Sequence, residues 1–329
     1  VENADIQLKE IANYEIGSNE NQAVIEILEE YNETNSLAFM NRFEIATEVT
    51  ADFSKSLAQE FDIKVLPMKY TMNDQEFEHT IDYTMEDITQ FYDELEAGAR
   101  VSTSQITPTV YMSIFEEILR EGKDILHIGF SSALSGSFQS AALAFEMLKA
   151  DYPDRTCILV DSLGASGGHA LLSIRASELR AQNEAIETVA DYLNAHVQLI
   201  SHRFFVDSLD HLKNGGRISS TTAVVGNILS IYPILTITGE GKVEAFDKIR
   251  GEKKAVGKLK SFFDGNNDQS LSKHVVISHA DNLDKAKLLE KELTENYNDL
   301  IIHITEIGPI LGVHVGKGTT AICYFATGR

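Results

Sequence analysis

A chain of 329 residues with 43% hydrophobic and 24% charged residues has the composition of a folded protein, and its length favours roughly two domains. The formal net charge of −22 disfavours nucleic acid and anionic membrane surfaces as partners, since both attract clustered positive charge. No apolar run reaches the ~18 residues that a transmembrane helix needs, so we expect no stable insertion into a membrane.

The N-terminal segment is acidic. Residues 1–39 carry nine acidic residues and one lysine, and Val24, Ile27 and Tyr31 share one face of a helical repeat. We interpret residues 1–40 as a partly helical acidic extension. The segment lacks the basic and apolar regions of a secretory signal, and both cysteines lie in strand-like runs typical of buried free thiols. We therefore expect a cytoplasmic protein.

Strand and helix patterns alternate in the first half of the remaining chain. The predicted strands lie at 43–49, 63–72, 125–130 and 157–161, and the predicted helices at 52–61, 84–95, 107–122 and 135–150. The second strand contains Pro67, so we expect it to bend or to lie at a sheet edge. This alternation predicts a mostly parallel sheet with helices on both faces, in a first α/β domain at 41–162.

The second half, 163–329, is predicted to be a second α/β domain with a mixed sheet. Its predicted strands lie at 197–206, 232–250, 273–280 and within 301–325, and its predicted helices at 161–180, 208–216, 220–230 and 282–297. The turn Gly239-Glu240-Gly241 divides the second of these strand segments into two strands. Such a pattern indicates a hairpin, and hence antiparallel pairing in this sheet.

A serine-rich loop follows the strand at 125–130. Ser131, Ser132, Ser135 and Ser137 surround the first turn of the next helix, where unpaired N–H groups and partial positive charge favour an anion. Because no lysine or arginine lies among them, a single carboxylate is favoured over a di- or triphosphate. The alternative interpretation is simple N-capping by Ser135.

A second hydroxyl cluster precedes the helix that begins near Pro108. Its residues, Ser102, Thr103 and Ser104, are either caps of that helix or contacts for a ligand. Loops that follow neighbouring parallel strands meet at the same edge of a sheet, where ligands bind. The two hydroxyl clusters together therefore favour a shared binding site.

Two further side chains are candidates for contact with an acid. His314 lies between glycines and can donate to a carboxylate or act as acid or base; the alternative is a structural loop histidine. Arg217 follows two glycines and suits a carboxylate or phosphate; the alternative is a surface arginine after an ordinary helix end. The spacing of histidines and cysteines predicts no metal site.

Nucleotide-binding motifs are missing from the sequence. There is no G-x-x-x-x-G-K-[ST] motif and no G-x-G-x-x-G that opens a helix. This disfavours self-contained nucleotide chemistry, and we expect no cofactor. In the serine-rich loop, Gly129-Phe130-Ser131 has Ala133 where a G-x-S-x-G motif needs its second glycine, so we expect no serine hydrolase from this loop.

Four short motifs, taken in order, resemble the DegV family of fatty-acid-binding proteins, which includes the lipid-carrying subunit of bacterial fatty acid kinase. The motifs are Thr103-Ser104-Gln105, the serine-rich stretch 131–140, Gly216-Arg217-Ile218-Ser219, and the segment from Gly312 to Gly318 around His314. The likeness covers about residue 41 to the end of the chain.

The resemblance implies two α/β domains with a long-chain fatty acid between them, and a carrier that presents the carboxylate to a separate kinase without turning over substrate itself. The residues that it places at the carboxylate are Ser102, Thr103, Ser131, Ser132, Ser135, Gly136 and His314. It ties Arg217 to phosphate transfer with the kinase, which forms the acyl phosphate.

The sequence departs from the family pattern at two places. The first strand ends in Thr47-Glu48-Val49 where the family usually has Thr-Asp-Ser, which removes a serine near the carboxylate. Lys317 replaces a proline after the histidine, which adds a cation that we expect near the pocket mouth. Two alternatives remain: a small-molecule hydrolase or transferase that uses His314 with a serine of the loop, and a regulatory homologue that has lost lipid binding.

Overall fold

The computed structural model describes residues 43–218 and 230–329. The predicted extension at 1–40 lies outside these residues, as does all but the last residue of the helix predicted at 220–230. The described part of the chain has an α/β fold with a parallel sheet and a mixed sheet, which confirms the predicted fold class. No helix in this part is both long enough and apolar enough to cross a membrane.

Strands and helices alternate along most of the described chain. The strands are β1 Phe43–Glu48, β2 Ile63–Leu66, β3 Met68–Met72, β4 Gln75–His79, β5 Val101–Thr103, β6 Asp124–Gly129, β7 Cys157–Asp161, β8 Ile200–Phe205, β9 Ile231–Ile237, β10 Val243–Arg250, β11 His274–His279, β12 Ile301–Glu306 and β13 Thr320–Phe325. The helices are α1 Lys55–Glu60, α2 Met85–Glu96, α3 Pro108–Arg120, α4 Ser137–Leu148, α5 Ser166–Ala181, α6 Ile186–His196, α7 Asp210–Asn214, α8 Glu252–Asn266, α9 Leu283–Thr294 and α10 Pro309–Val315.

The parallel sheet has the strand order β2-β1-β6-β7. Alternate residues of β1 point to opposite faces of the sheet. Ile45 packs into the core formed with α5 and α6, whereas Ala46 packs into the core formed with α3 and α4. Helices therefore cover both faces, as expected for parallel strands.

Pro67 divides the predicted strand 63–72 into two strands. β2 ends at Leu66 in the parallel sheet, and β3 begins at Met68 in a three-stranded antiparallel sheet with the order β4-β3-β5. Proline cannot donate a hydrogen bond to a sheet, so the chain leaves one sheet at this residue and enters the other. The bend was predicted, but the change of sheet was not.

The mixed sheet has the order β10-β9-β8-β13-β11-β12. Only the pair β11 and β12 is parallel among its described strands, and β9 and β10 form the predicted hairpin. Helices α8 and α9 cover one face of the sheet. Residues on the other face, among them Phe204, Leu235 and Ala321, form a small apolar cluster with α7.

Helix α5 lies in the core and packs against strands of both large sheets. Twelve of its sixteen residues are buried, as expected for a helix without a solvent-facing side. A methyl group at Gly167 would lie 2.7 Å from a side-chain carbon of Val276 in β11, so glycine permits this close approach. The predicted domain boundary at 162–163 falls just before α5, and it stays a prediction.

Candidate functional site

An apolar cavity of about 250 Å³ lies beside the open face of the mixed sheet. Its wall is formed mainly by large apolar side chains, including Phe130, Leu134, Phe204, Ile310 and Leu311. These side chains come from the loop after β6, from β8 and from α10. The cavity therefore offers a water-excluding surface to a hydrocarbon.

Hydroxyl and amide groups from two loops form the polar part of the cavity wall. Thr103, Ser104 and Gln105 follow one another at the end of β5, and Ser135 and Gly136 come from the serine-rich loop. The two loops are in contact, since a methyl group at Gly136 would lie 2.1 Å from Oε1 of Gln105. The two hydroxyl clusters therefore meet, but not at the edge of one parallel sheet as predicted, because β5 belongs to the antiparallel sheet.

The N-termini of two helices also reach the cavity. Helix α4 begins after Gly136, which has no side chain to act as a cap. Helix α5 begins after Ala165, and the hydroxyl of Ser166 in its first turn is buried without a hydrogen-bond partner in the described structure. Because first-turn N–H groups carry partial positive charge, each of these helix N-termini favours an anionic group beside it.

His314 lines the cavity near the C-terminal end of α10. Its Nε2 lies 3.2 Å from Oγ1 of Thr103, and its Nδ1 is buried without a partner among the described residues. Burial lowers the pKa of His314 to about 4, and the nearby Arg217 and His211 act in the same direction. The imidazole is therefore neutral at pH 7 and provides a hydrogen bond rather than a positive charge.

Arg217 is the only lysine or arginine among the described residues that line the cavity. Its Nε donates to the carbonyl oxygen of Leu134 at 3.2 Å, and its Nη1 donates to the carbonyl oxygen of Gly215. Arg217, Thr103 and His314 also line a neighbouring surface depression, to which Ser102 contributes as well. Arg217 thus contacts both the buried cavity and a surface that a partner can reach.

Three predicted site residues do not line the cavity. Ser102 lines only the surface depression. The Ser131 hydroxyl is fully buried and donates to the carbonyl oxygen of Gly241 at 2.8 Å, which joins the serine-rich loop to the hairpin. Ser132 donates its backbone N–H to Asp161 at 3.2 Å. The geometry gives these residues a role in supporting the loop and the rim of the site.

The alternative interpretation, that the hydroxyls of the two clusters cap the following helices, holds only in part. Helix α3 has Thr107 as its N-cap, and Thr107 accepts from the N–H of Val110, so the cluster 102–104 does not cap this helix. Ser135 precedes the N-cap of α4, but its Oγ accepts from the N–H of Ser137 at 3.2 Å. Ser135 therefore both supports the helix start and lines the cavity.

Glu48 lies fully buried at the end of β1. Its carboxylate accepts hydrogen bonds from the hydroxyl of Tyr111 at 2.6 Å and the N–H of Phe130 at 3.0 Å, and it lies 3.2 Å from Nε2 of His127. Burial acts to raise the pKa of Glu48, but His127, His169 and Tyr111 outweigh it and hold the pKa at about 2. The acid is therefore ionised, and it fixes Phe130 at the start of the serine-rich loop.

The second departure from the family pattern lies outside the cavity. The ammonium group of Lys317 forms ion pairs with Asp93 at 2.8 Å and Asp281 at 2.9 Å, and these raise its pKa. Lys317 does not line the cavity, so the expectation of a cation near the mouth is not met by this side chain.

Three observations on the described residues concern metal ligands, thiols and a serine–histidine pair. Among the described residues, no group of three or more histidine, cysteine, aspartate or glutamate side chains could hold a metal ion. Both cysteines are free, and burial raises the pKa of Cys323, which lines the cavity, to about 12. His314 contacts the hydroxyl of Thr103, whereas no serine of the 131–135 loop forms a hydrogen bond with it in the described part of the chain.

Three residues near the site were not identified from the sequence as site residues. Gln105 belongs to a motif that was recognised, but the ligand contact was assigned to its neighbours. Ser166 was missed, although residues 164–168 read G-x-S-x-G between a strand and a helix, and this motif could have identified it. Glu48 was noticed only as a departure from a pattern, and its partners lie far away in the sequence.

Comparison with known proteins agrees with this architecture. A family model described as "Uncharacterised protein, DegV family" matches residues 42–327. A DegV domain-containing protein of Clostridium perfringens is 36% identical over 293 residues, which cover 87% of this chain and 98% of that protein.

Solved structures share the fold. The structure reported as fatty acid binding of a DegV family protein from Thermus thermophilus is 28% identical, with a TM-score of 0.75, and covers 87% of this chain and 99% of that one. The fatty acid kinase B3 protein of Streptococcus pneumoniae, loaded with linoleic acid, is 22% identical, with a TM-score of 0.75 over 86% of this chain and 99% of that one. At that identity the second likeness concerns the fold alone.

Proposed function

The chain belongs to the DegV family, and we propose that it is a carrier that binds a fatty acid in the apolar cavity. The observation that carries the proposal is the composition of the cavity wall: large apolar side chains on most of it, and hydroxyls, an amide and a neutral imidazole at one end. An amphiphile with a single acidic head group matches both parts.

Burial of the hydrocarbon supplies most of the affinity in this proposal. A chain of ~14–16 methylenes contributes ~0.8 kcal/mol for each one that leaves water. The head group contributes less, because its bonds to the protein replace bonds to water. The polar end of the cavity therefore sets the orientation of the ligand and adds a smaller share of the affinity than the tail does.

We place the carboxylate near Ser104, Thr103 and His314, with the N-terminus of α4 on the opposite side. Hydroxyl groups and the neutral imidazole donate to the carboxylate oxygens without an ion pair. Arg217 lies at the same end and adds a positive charge at the boundary with the surface depression. The head group then faces outward, and the tail lies along Phe204 and Leu311.

The cavity volume of about 250 Å³ lies below the ~300–1,000 Å³ of ordinary small-molecule pockets. We expect affinity to rise with chain length and then to level off once the added methylenes no longer fit. The position of that plateau measures the usable length of the cavity.

We propose that a separate kinase phosphorylates the bound carboxylate and that Arg217 assists at the interface. A guanidinium matches phosphate geometry, and this one contacts both the cavity and an open depression. Arg217→Ala should bind fatty acid within about threefold of the unaltered protein but lose most acyl phosphate formation with a bacterial fatty acid kinase subunit. Loss of binding in this variant would overturn the assignment to phosphate transfer.

The central experiment is native mass spectrometry and lipid extraction of the purified protein. We expect one fatty acid per chain. Ser104→Ala should retain less ligand and exchange it faster, whereas Ser132→Ala, a matched change outside the cavity, should behave as the unaltered protein. Absence of any bound or exchangeable fatty acid in the unaltered protein would overturn the proposal and favour a homologue that does not bind lipid.

A further inference from the structure

A second cavity, of about 470 Å³, is lined by residues of β4, β11, β12 and the turn that follows β1. It opens where the parallel strands β11 and β12 end, at His279 and Glu306. Asp52 lines it after the short turn that follows β1, and His79 lines it at the end of β4. Carboxyl ends of parallel strands are a common location for ligands.

Two buried polar groups line this cavity with their hydrogen-bonding capacity unused. Asp52 is 5% exposed and His79 is 6% exposed. One carboxylate oxygen of Asp52 accepts from the N–H of Gly308 at 3.0 Å, whereas Oδ2 has only the hydroxyl of Ser166 nearby, without good hydrogen-bond geometry. Nδ1 of His79 has no partner within the described structure. Buried polar atoms without partners are unfavourable by about 1–3 kcal/mol each, so both atoms would gain from a ligand.

Gly308 brings the two groups together. Asp52 binds its N–H, and the ring of His79 lies against its Cα, since a methyl group there would be 2.1 Å from Cε1 of His79. The ring of Tyr83 packs edge-on against His79, with 4.8 Å between the ring centroids. The free carboxylate oxygen and the free imidazole nitrogen are therefore held on rigid elements around one glycine.

The charge of the wall favours a cation. Lys55 pairs with Asp82 at 2.6 Å, so these two lining residues neutralise each other. Asp52 and Glu306 have no basic partner among the described residues, and burial raises the pKa of both, that of Asp52 to about 7. Burial lowers the pKa of His79 to about 4, so its imidazole is neutral and does not repel a cation.

We propose that this second cavity binds a small organic ammonium compound, whose N–H groups donate to Asp52 Oδ2 and Glu306. Aromatic side chains favour the same class of ligand, because Phe53 and Tyr83 line the wall and aromatic rings attract cations. Lys287 is exposed at the rim and leaves the interior without a competing positive charge. The site is distinct from the apolar cavity, and the proposal does not depend on fatty acid binding.

The test uses the full chain, with 1,4-diaminobutane as the probe and 1,4-butanediol as its neutral counterpart. Melting temperature and calorimetric binding are measured at constant ionic strength, because an acidic protein gains some stability from any cation. We expect the diamine to raise the melting temperature with saturation and the diol to leave it unchanged.

Variants identify the site. Asp52→Asn keeps the acceptor for Gly308 and should fold, yet it should weaken diamine binding at least tenfold, as should Glu306→Gln at the surface side of the cavity. Asp74→Asn, an exposed change far from the cavity wall, is the matched control and should bind normally. Equal diamine binding by the unaltered protein and all three variants would overturn the proposal. It would also be overturned if the diol raised the melting temperature as much as the diamine. An Asp52-dependent response to Mg²⁺ alone would overturn the ligand class.

Discussion

Nε2 of His314 lies 3.2 Å from Oγ1 of Thr103, although the two residues are 211 positions apart in the chain. The contact joins α10, next to the mixed sheet, to the strand that ends in the first hydroxyl cluster. Both side chains line the apolar cavity and the surface depression beside it. A ligand head group placed here would meet a hydroxyl and an imidazole that already orient each other.

The protonation state of His314 predicts how fatty acid binding depends on pH. The folded pKa of about 4 lies below the ordinary value of 6.5, so the imidazole is already neutral above about pH 5. Affinity for a fatty acid should therefore stay constant from pH 6 to pH 8, as measured by displacement of a fluorescent fatty acid. A tenfold fall in affinity as the pH rises through 6.5 would instead show that a charged imidazole holds the carboxylate.

Gly215 provides a test of the position of the His314 ring. A methyl group at Gly215 would lie 2.1 Å from Nδ1, so Gly215→Ala should push the ring away from Thr103. We expect fatty acid affinity to fall about tenfold, a loss of ~1.4 kcal/mol, with the fold retained. Gly257→Ala is the control, because nothing lies within 4 Å of a methyl group there and alanine favours its helix. Equal binding by the two variants would contradict the predicted role of the ring.

The ionised carboxylate of Glu48 should make the free energy of unfolding smaller in acid. Its folded pKa of about 2 is below the ordinary 4.5, so its contribution is present above pH 4.5 and is lost as the pH falls through that value toward 2. The shift corresponds to roughly 3 kcal/mol at most. Urea unfolding of Glu48→Gln and of the unaltered protein is measured at pH 7 and pH 3. The difference between their free energies of unfolding should be smaller at pH 3. A constant difference would mean that the charge of Glu48 contributes little.

Much of the fold could be predicted from local patterns, since period-two and helical repeats report on neighbouring residues. The hairpin at Gly239-Glu240-Gly241 and the helix after Thr107 are examples. These features depend on short stretches of chain, so their residue patterns can be recognised in the sequence. The two hydroxyl clusters meet as predicted but for a different reason, since Thr103 ends β5 of the antiparallel sheet and only the serine-rich loop follows a parallel strand.

Features that depend on distant contacts could not be predicted in the same way. The hydroxyl of Ser131 bonds to Gly241, 110 residues away, whereas Ser135 lines the cavity wall. A distant contact therefore decides which serine of the loop faces the cavity. The ionised state of Glu48 depends on Tyr111 and His127, neither of which is near it in the chain. Composition showed that hydroxyls and acids were present but not where they point.

A stacked pair of histidines on β11 and β12 provides the last prediction. Nδ1 of His274 lies 2.8 Å from Nε2 of His303, the rings are nearly parallel at 9°, and Nε2 of His274 lies 3.1 Å from Glu178. At this separation one nitrogen must carry a proton and the other must accept it. Burial lowers the pKa of His303 to about 4, and His274 lowers it further in the same direction.

The folded state therefore favours neutral His303, so protonation of this side chain lowers the free energy of unfolding. The folded pKa is below the unfolded value of 6.5, so stability is complete above pH 6.5 and decreases as the pH falls from there toward 4. Since His303 is partly exposed, solvent screening reduces the effect to about 1–2 kcal/mol. His303→Gln keeps an acceptor for His274 but does not titrate, so its unfolding free energy should fall less than that of the unaltered protein between pH 7 and pH 5. Parallel pH profiles for the two proteins would show that the pair does not contribute to acid sensitivity.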